Sequence, residues 1–495
     1  MPSSALNLLA FDLGAESGRA ILGQFDGRRI QLADVHRFAN TPVPLPDGLH
    51  WNVLGLWSEI RAGLAKGVQM TGGNLAGLGL DTWGVDFGLL DRRGALLGAP
   101  YHYRDSRTDG MMEAVFGRVS REEVFAQTGI QFMQLNTLYQ LMAMSLGGDP
   151  TLAAAETFLT IPDLLNYWLT GRKVCEFTNA TTTQCYDPRR QTWARPLLER
   201  LGIPTGMFPE IIPPGTVLGD LRGAVAEEAG LGGGLPVIAP ACHDTGSAVA
   251  AVPARAADFV WISSGTWSIM GVEAREPVVN EASLACTMTN EGGVNGTFRL
   301  SKNIMGLWPV QESRRTWAHQ GQPYSYADLT QMAAEAEPLR AVVDPDHNDF
   351  LKPGDMPARV AAYCRRSGQP EPETHGQVVR CLLEGLALRY RWVLERLEQL
   401  QGKRLETIHI VGGGTQNKLL SQFAADATQR PVVTGPVEAT ATGNLLVQAL
   451  ALGEVGSLAE AREVVRRSFE VETFEPDPAS APAWDAAYGK MNEMM

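Results

Sequence analysis

The chain has 495 residues, of which 44% are hydrophobic and 20% charged, with a formal net charge of −13. At roughly 150 residues per domain this is too long for one core, and the ordinary apolar content predicts folded domains rather than disorder. The acidic balance argues against nucleic acid or an anionic membrane as partner. No run of about 18 apolar residues suggests a bilayer span, and Met1-Pro2-Ser3-Ser4 lacks the basic and apolar stretches of a secretion signal.

In chain order, residues 6–13, 18–25 and 30–37 read as three short strands, with Asp26-Gly27 as hairpin punctuation. A helix is expected from Val53 to about Met70, then a strand from Leu75 to Leu80 ending on Asp81. A further hairpin is expected over Gly88 to Leu97, turning at Asp91 to Gly94. Three antiparallel strands followed by alternating helix and strand open a ribonuclease-H-like lobe. Such open sheets bind ligands at the carboxyl ends of their strands, where Asp12 and Asp81 would both lie. Residues 110–210 read as mostly helical, and Pro236 to Ala239 as a strand. After a boundary near Val252-Pro253 the theme repeats. A strand runs over Phe259 to Ile262, a long helix from about Gln377 to Leu400, and a strand from Ile408 to Val411 before Gly412-Gly413-Gly414. A helix then begins near Asn417, a core segment covers Pro431 to Thr434, and a helix starts near Ala439.

The most informative feature is an echo. Phe11 to Arg19 and Ile262 to Ser268 both place a small Gly/Ser-rich turn between apolar runs. Two such hairpins offer backbone N–H groups and hydroxyls to a phosphate chain, which predicts an ATP-using protein with two lobes and a cleft. Asp12, at a strand end beside a Gly turn, suits Mg²⁺ held through water. Glu16 would repel a phosphate, so it should point away or pair with a cation, for which Arg19 is the candidate. Between the hairpins, Asp244 within Ala241 to Ser247 is a candidate base for a sugar hydroxyl, with Gly246 allowing close backbone approach. Taken alone, Asp244 also suits a helix N-cap. Gly412-Gly413-Gly414 fits close approach to adenine or the α-phosphate, or a plain turn. Thr82 to Asp86 and Tyr103 to Arg107 mix aromatic and hydrogen-bonding groups as sugar sites do, or are core aromatics beside solvated charges. The run Thr178 to Gln184 lines a site or forms a loop. No Walker sequence, Gly-x-Gly-x-x-Gly or His-Glu-x-x-His is present. The six cysteines form no Cys-x-x-Cys pair and read as reduced, buried thiols, with Cys364 and Cys381 the pair that oxidation could close.

At these residues the chain resembles the FGGY family of carbohydrate kinases. The matching stretches are Asp12 to Ala15, Ser17 to Arg19, Leu80 to Phe87, Tyr103 to Thr108, Gly129 to Phe132 and Thr178 to Gln184. They continue through His243 to Thr245, Ser263 to Ser268, Lys302 to Trp308 and His409 to Gly414, in chain order from about residue 6 to 475. The resemblance implies an α/β fold of two ribonuclease-H-like, actin-like ATPase lobes with an interlobe active-site cleft. Residues 1–252 would carry the sugar site, first hairpin and base, and residues 253–495 the second hairpin and adenine site. It implies transfer of the ATP γ-phosphate, with Mg²⁺, to O1 of the ketose L-rhamnulose. Asp244 would be the base. Gly84, His243, Asp244, Thr245 and Asn303 would contact sugar, and Ala15, Glu16, Ser17, Gly18, Arg19, Thr266, Gln311 and Gly413 would hold ATP, with Asp12 toward the metal. The expected setting is cytoplasmic, as a monomer or weak homo-oligomer, with no nucleic acid or membrane as partner. Thr415 stands where the family often has cysteine. Fuculose, xylulose or glycerol are rival acceptors. A non-metabolic actin-like ATPase is the rival of another class, against which Trp83, Arg104 and Asp244 weigh.

Overall fold

The computed structural model describes residues 5–256 and 258–495. The signal-peptide expectation at residues 1–4 lies outside them. Strands β1 (Leu6–Leu13), β2 (Ser17–Phe25) and β3 (Ile30–Ala39) form the expected antiparallel meander. Helix α1 (Val53–Thr71) follows, capped by Asn52 Oδ1 on Gly55 N and closed by Gly72 at φ +60°. Its apolar stripe Leu56, Ile60, Leu64 and Val68 recurs every fourth residue and is buried. Strand β4 (Gly77–Thr82) then runs parallel to β1. The expected hairpin at 88–97 forms, with an antiparallel bridge between Leu90 and Leu96, Asp91 N–H on Ala95 O at 2.9 Å and Leu97 N–H on Leu89 O at 2.8 Å. Its turn is held by Asp91 Oδ1, which accepts from Arg93 and Ala95 N–H. The other edge of Phe87–Leu90 pairs antiparallel with Thr157–Thr160.

Strands β5 (Thr216–Asp220) and β6 (Pro236–Ala239) complete a six-stranded sheet in the order β5-β6-β4-β1-β2-β3, with β6 parallel to β4. Helix α2 (Asp244–Ala250) leaves the end of β6. The second half repeats the pattern with β7 (Val260–Ser264) and β8 (Ser268–Ala274) as an antiparallel hairpin. It continues with β9 (Phe298–Ile304), α3 (Trp308–His319) and the long α4 (His375–Gln401). Strand β10 (Ile408–Val411), parallel to β7, leads to α5 (Lys418–Thr428), β11 (Val432–Thr434) and α6 (Ala439–Ala451). Strand β12 (Thr473–Phe474) pairs with β11.

The chain divides into two compact units. The first takes the residues up to Ala251 with Glu273–Leu300 and Ala439–Phe469; the second takes Val252–Val272, Ser301–Glu438 and Glu470–Met495. In the first unit α1 covers one sheet face, with Gly63 against the Phe11 ring. Helix α6 returns to cover the other face, where small strand residues let it come close. A Cβ on Gly79 would lie 2.4 Å from Asn444 Oδ1, and Gln448 Nε2 donates to Leu9 O at 3.0 Å. Among the described residues no helix is long and apolar enough to cross a membrane.

Candidate active site

The parallel register of β1 and β4 sets Asp12 directly beside Asp81 near the carboxyl ends of both strands. The next partner along is Thr82 with His243, and Thr82 N–H donates to Cys242 O at 2.9 Å. Three adjacent parallel strands therefore deliver Asp12, Asp81 and the His243-Asp244 loop to one end of one sheet, as the strand-end rule requires. Arg19 turns to Asp12, Nε to Oδ2 at 2.9 Å, and Glu16 is exposed on the turn. The cause is register: Asp12 and Arg19 are antiparallel partners and share a face. Asp81 is fully buried, accepts from Asn444 Nδ2 at 2.6 Å, and has no hydrogen bond on Oδ1. Burial first, and then the Asp12 charge, pushes its carboxyl well above the usual carboxylate range. Neighbouring carboxylates with one guanidinium suit a hard cation with oxygen ligands. Among the described residues no three acidic, His or Cys side chains are grouped to hold an ion.

The first phosphate hairpin closes with Gly14 N–H on Ser17 O at 2.8 Å, and its counterpart with Gly265 N–H on Trp267 O at 2.8 Å. The sequence echo is thus a structural one. Asn40, which carried no local signal, braces the first turn: its N–H donates to Glu16 O at 3.0 Å and its side chain to Gly14 O at 2.9 Å. Gly18 leaves room for the Phe38 ring, which would lie 2.3 Å from an added Cβ. Ala15 and Arg19 are half-buried, and Ser17 is exposed.

Asp244 is the first residue of α2, and His243 is the cap position, so the N-cap alternative does not hold. Asp244 Oδ1 accepts from Thr245 N at 2.5 Å and Thr245 Oγ1 at 3.0 Å, and lies 3.4 Å from His243 Nε2. The Asp244 side chain is 31% exposed, whereas His243 is buried. Behind His243 stand two residues without a sequence signal. Arg299 Nη2 reaches His243 Nδ1 at 2.9 Å, and Glu291 Oε2 lies 3.1 Å from Arg299 Nη2. Burial, the largest influence, would raise the Glu291 carboxyl; the Arg299 guanidinium, His243 and Thr289 together hold it below its ordinary value.

The Thr178 to Gln184 run is a buried polar floor. Thr178 Oγ1 accepts from His243 N at 3.0 Å and donates to Glu176 Oε2 at 2.6 Å, and Cys242 N also donates to Glu176 at 3.0 Å. Burial pushes Glu176 up to about 8 and Asp163, which accepts from Glu176 N, up to about 7. Gly84 sits over Thr182, whose Oγ1 would be 2.9 Å from an added Cβ. Val85 is held at φ +68°, a strained conformation for a β-branched residue, by its N–H on Thr182 Oγ1 and its carbonyl on Thr137 Oγ1.

Trp83 is a core aromatic: it is buried, its ring lies 4.0 Å from Trp51, and both indoles donate to Asp86 Oδ2. Burial raises Asp86 to about 6 despite those donors and Gln140. His102, packed 4.1 Å from Trp51, is pulled down to about 4 by burial and then by the Arg104 charge. Arg107 is likewise structural, bonded to Gln140 at 2.7 Å and stacked 3.8 Å over Tyr101.

In the second unit Thr266 sits on the turn between β7 and β8, and its carbonyl accepts from Trp308 N at 3.1 Å. Gln311 is on the first turn of α3, one turn after Leu307, whose N–H donates to Gly265 O at 3.0 Å. Gly412, at φ +89°, and Gly414 pack on Ser264, with Ser264 Oγ 2.0 Å from a Cβ placed at Gly414; Gly413 faces open space. Thr266, Gln311 and Gly413 are thereby gathered around one hairpin. Asn303 lies on β9, half-buried. All six cysteines are free, and all but Cys286 are buried.

Two open sheets, each carrying an antiparallel Gly/Ser hairpin at its start, are the fold of the actin-like ATPase class. The same fold is seen in gluconate kinase from Lactobacillus acidophilus, with a TM-score of 0.83 at 15% identity over 99% of this chain and 98% of that one. It is also seen in xylulose kinase from Rhodospirillum rubrum, at 0.80 and 21% over 99% and 98%. The chain belongs to the FGGY family of carbohydrate kinases: residues 7–251 match the family's N-terminal domain and residues 260–452 its C-terminal domain. It is 46% identical to a rhamnulokinase of Bacteroides thetaiotaomicron over 97% of this chain and 98% of the relative. It is 42% identical to one of Oceanobacillus iheyensis over 94% and 97%. The protein is an ATP-dependent sugar kinase.

Proposed function

We propose that this kinase transfers the γ-phosphate of ATP to O1 of L-rhamnulose, giving L-rhamnulose 1-phosphate and ADP, in cytoplasmic rhamnose catabolism. The observation that carries the chemistry is Asp244, a part-exposed carboxylate at a helix start whose Oδ1 is tied by Thr245 and His243. The choice of sugar rests on the rhamnulokinase relatives. O1 attacks the γ-phosphorus, its proton passes to Asp244, and the bond to the bridging oxygen breaks to release ADP. Gly84, His243, Thr245 and Asn303 would contact the sugar. Ala15 to Arg19, Thr266, Gln311 and Gly413 would take the nucleotide, the two hairpins offering N–H groups as phosphate donors. Residues 1–252 would carry most of the sugar site, the first hairpin and the base, and residues 253–495 the second hairpin and the adenine site. Asp12, with Asp81 beside it, would hold magnesium through water, and the ion would supply charge neutralisation on the phosphates.

The test is ADP release coupled to a reporter, run over L-rhamnulose, L-fuculose, D-xylulose and glycerol. L-Rhamnulose should give the highest kcat/KM, with phosphorus NMR of the product reporting a 1-phosphate. A higher kcat/KM for any other acceptor, or phosphate at another position, would overturn the assignment.

A further inference from the structure

We propose that Arg299 and Glu291 are positioning residues that hold His243 as the neutral tautomer with its proton on Nε2, aimed at Asp244. The inference rests on the reading of Asp244 as base and names what prepares that base. A guanidinium carries only donors and stays charged at any working pH. Arg299 Nη2 lies 2.9 Å from His243 Nδ1, so Nδ1 must present its lone pair there. A neutral imidazole then carries its single proton on Nε2, the nitrogen 3.4 Å from Asp244 Oδ1.

Arg299 is placed to enforce this. It is fully buried, its Nε donates to Gly292 O at 2.7 Å, and its charge is balanced by Glu291 Oε2 at 3.1 Å. Without Arg299, Glu291 Oε2, at 3.3 Å from Nδ1, would itself accept a hydrogen bond from a protonated Nδ1 and select the other tautomer. In that tautomer the Nε2 lone pair would face the Asp244 carboxylate, exchanging attraction for repulsion. The His243 backbone is fixed by its N–H on Thr178 Oγ1 at 3.0 Å. Nε2 faces, at 3.4 Å, the carboxylate oxygen Oδ1 that Thr245 N and Oγ1 already hold. That leaves Oδ2 as the atom turned to the acceptor alcohol.

The experiment is nitrogen NMR of the full chain labelled at its eight histidines, with the His243 signal assigned from its loss in His243→Gln. Wild type should show the Nε2–H neutral form. The Nδ1–H form or an imidazolium at pH 7.5 overturns the proposal. Arg299→Met should move His243 to Nδ1–H or a mixture and lower kcat by about 10- to 100-fold, the scale of an ångström-level misplacement, with KM for ATP within about twofold. A folded Arg299→Met with the wild-type tautomer and kcat also overturns it. Should Arg299→Met fail to fold, Arg299→Lys retains a charged donor: it should keep the Nε2–H form, and an Nδ1–H signal with undiminished kcat refutes the role. Full activity of Asp244→Asn beside an intact Nε2–H signal would instead fault the base assignment and leave the tautomer standing.

Discussion

A single methyl group added at Gly443 tests the link between the helix packing and the base. On α6, a Cβ at this position would sit 1.7 Å from the Ser247 carbonyl oxygen and 2.6 Å from its carbon, both in α2. Real Cβ atoms keep 3.0 Å or more, so the helices must part by about 1.3 Å. Backbone lies on both sides of the clash, so no rotamer can absorb it. Overpacking of this kind costs about 1–3 kcal/mol. Because α2 begins at Asp244, the base moves with it, and a displacement of about 1 Å in reacting geometry costs about 10²-fold in rate. Gly443→Ala should therefore lower the urea midpoint by the equivalent of about 2 kcal/mol or more and cut kcat about 100-fold, with KM for ATP little changed. Gly489→Ala, in the last helix with open space around the added Cβ, should instead gain up to about 1 kcal/mol. A Gly443→Ala protein with wild-type midpoint and turnover would show that this interhelical contact does not set the base.

Asp244→Asn should lower kcat by about 10²–10⁴-fold while ATP binding, followed by calorimetry, is preserved; near-normal turnover would refute the base. Asn40→Ala removes the brace from the first hairpin, and a lost hydrogen bond of about 1 kcal/mol predicts a rise in KM for ATP of about fivefold with L-rhamnulose KM unchanged. Asp86 titrates at about 6 in the folded chain against 3.8 ordinarily, so the native state binds the proton more tightly and this group's contribution falls as pH rises through 4 to 6. Asp86→Asn is flat in that window. Its stability relative to wild type should thus improve by about 3 kcal/mol between pH 4 and 7, read from paired urea curves, and a pH-independent difference would contradict the assigned burial.

Elements set by local chemistry were legible in the sequence. The Gly-Ser turns after apolar runs gave both hairpins, and the helix expected from Val53 to about Met70 is α1, Val53–Thr71. Asp244 was legible too, but its capping alternative was settled only by the backbone at His243. What escaped was set by register and distance along the chain. The cross-strand pairing of Asp12 with Arg19 is a matter of register that turn composition does not show. Phe87–Leu90 pairs, besides its own hairpin, with a strand about seventy residues on. Glu291, Arg299 and Asn444 lie 47, 55 and 200 residues beyond the base, in stretches whose composition resembles any buried strand or helix. Trp83 was ambiguous for a different reason: an indole against another ring looks the same in a ligand wall and in a core until the Asp86 acceptor is seen.

The return of α6 to the first sheet has a consequence for biogenesis. Its residues emerge from the ribosome long after the strands they cover: between Ala251 and Ala439 translation runs on for about 10–40 s at about 5–20 residues per second. Throughout that interval the glycine-lined face at Gly77 and Gly79 and the Asp81 carboxyl lack their lid. The nascent chain must wait in a partly bare state, which makes it a client for chaperones and sensitive to premature termination. A gene cut after codon 252 would yield a first piece lacking both Glu273–Leu300 and Ala439–Phe469, and only a piece supplied with both should return to solution.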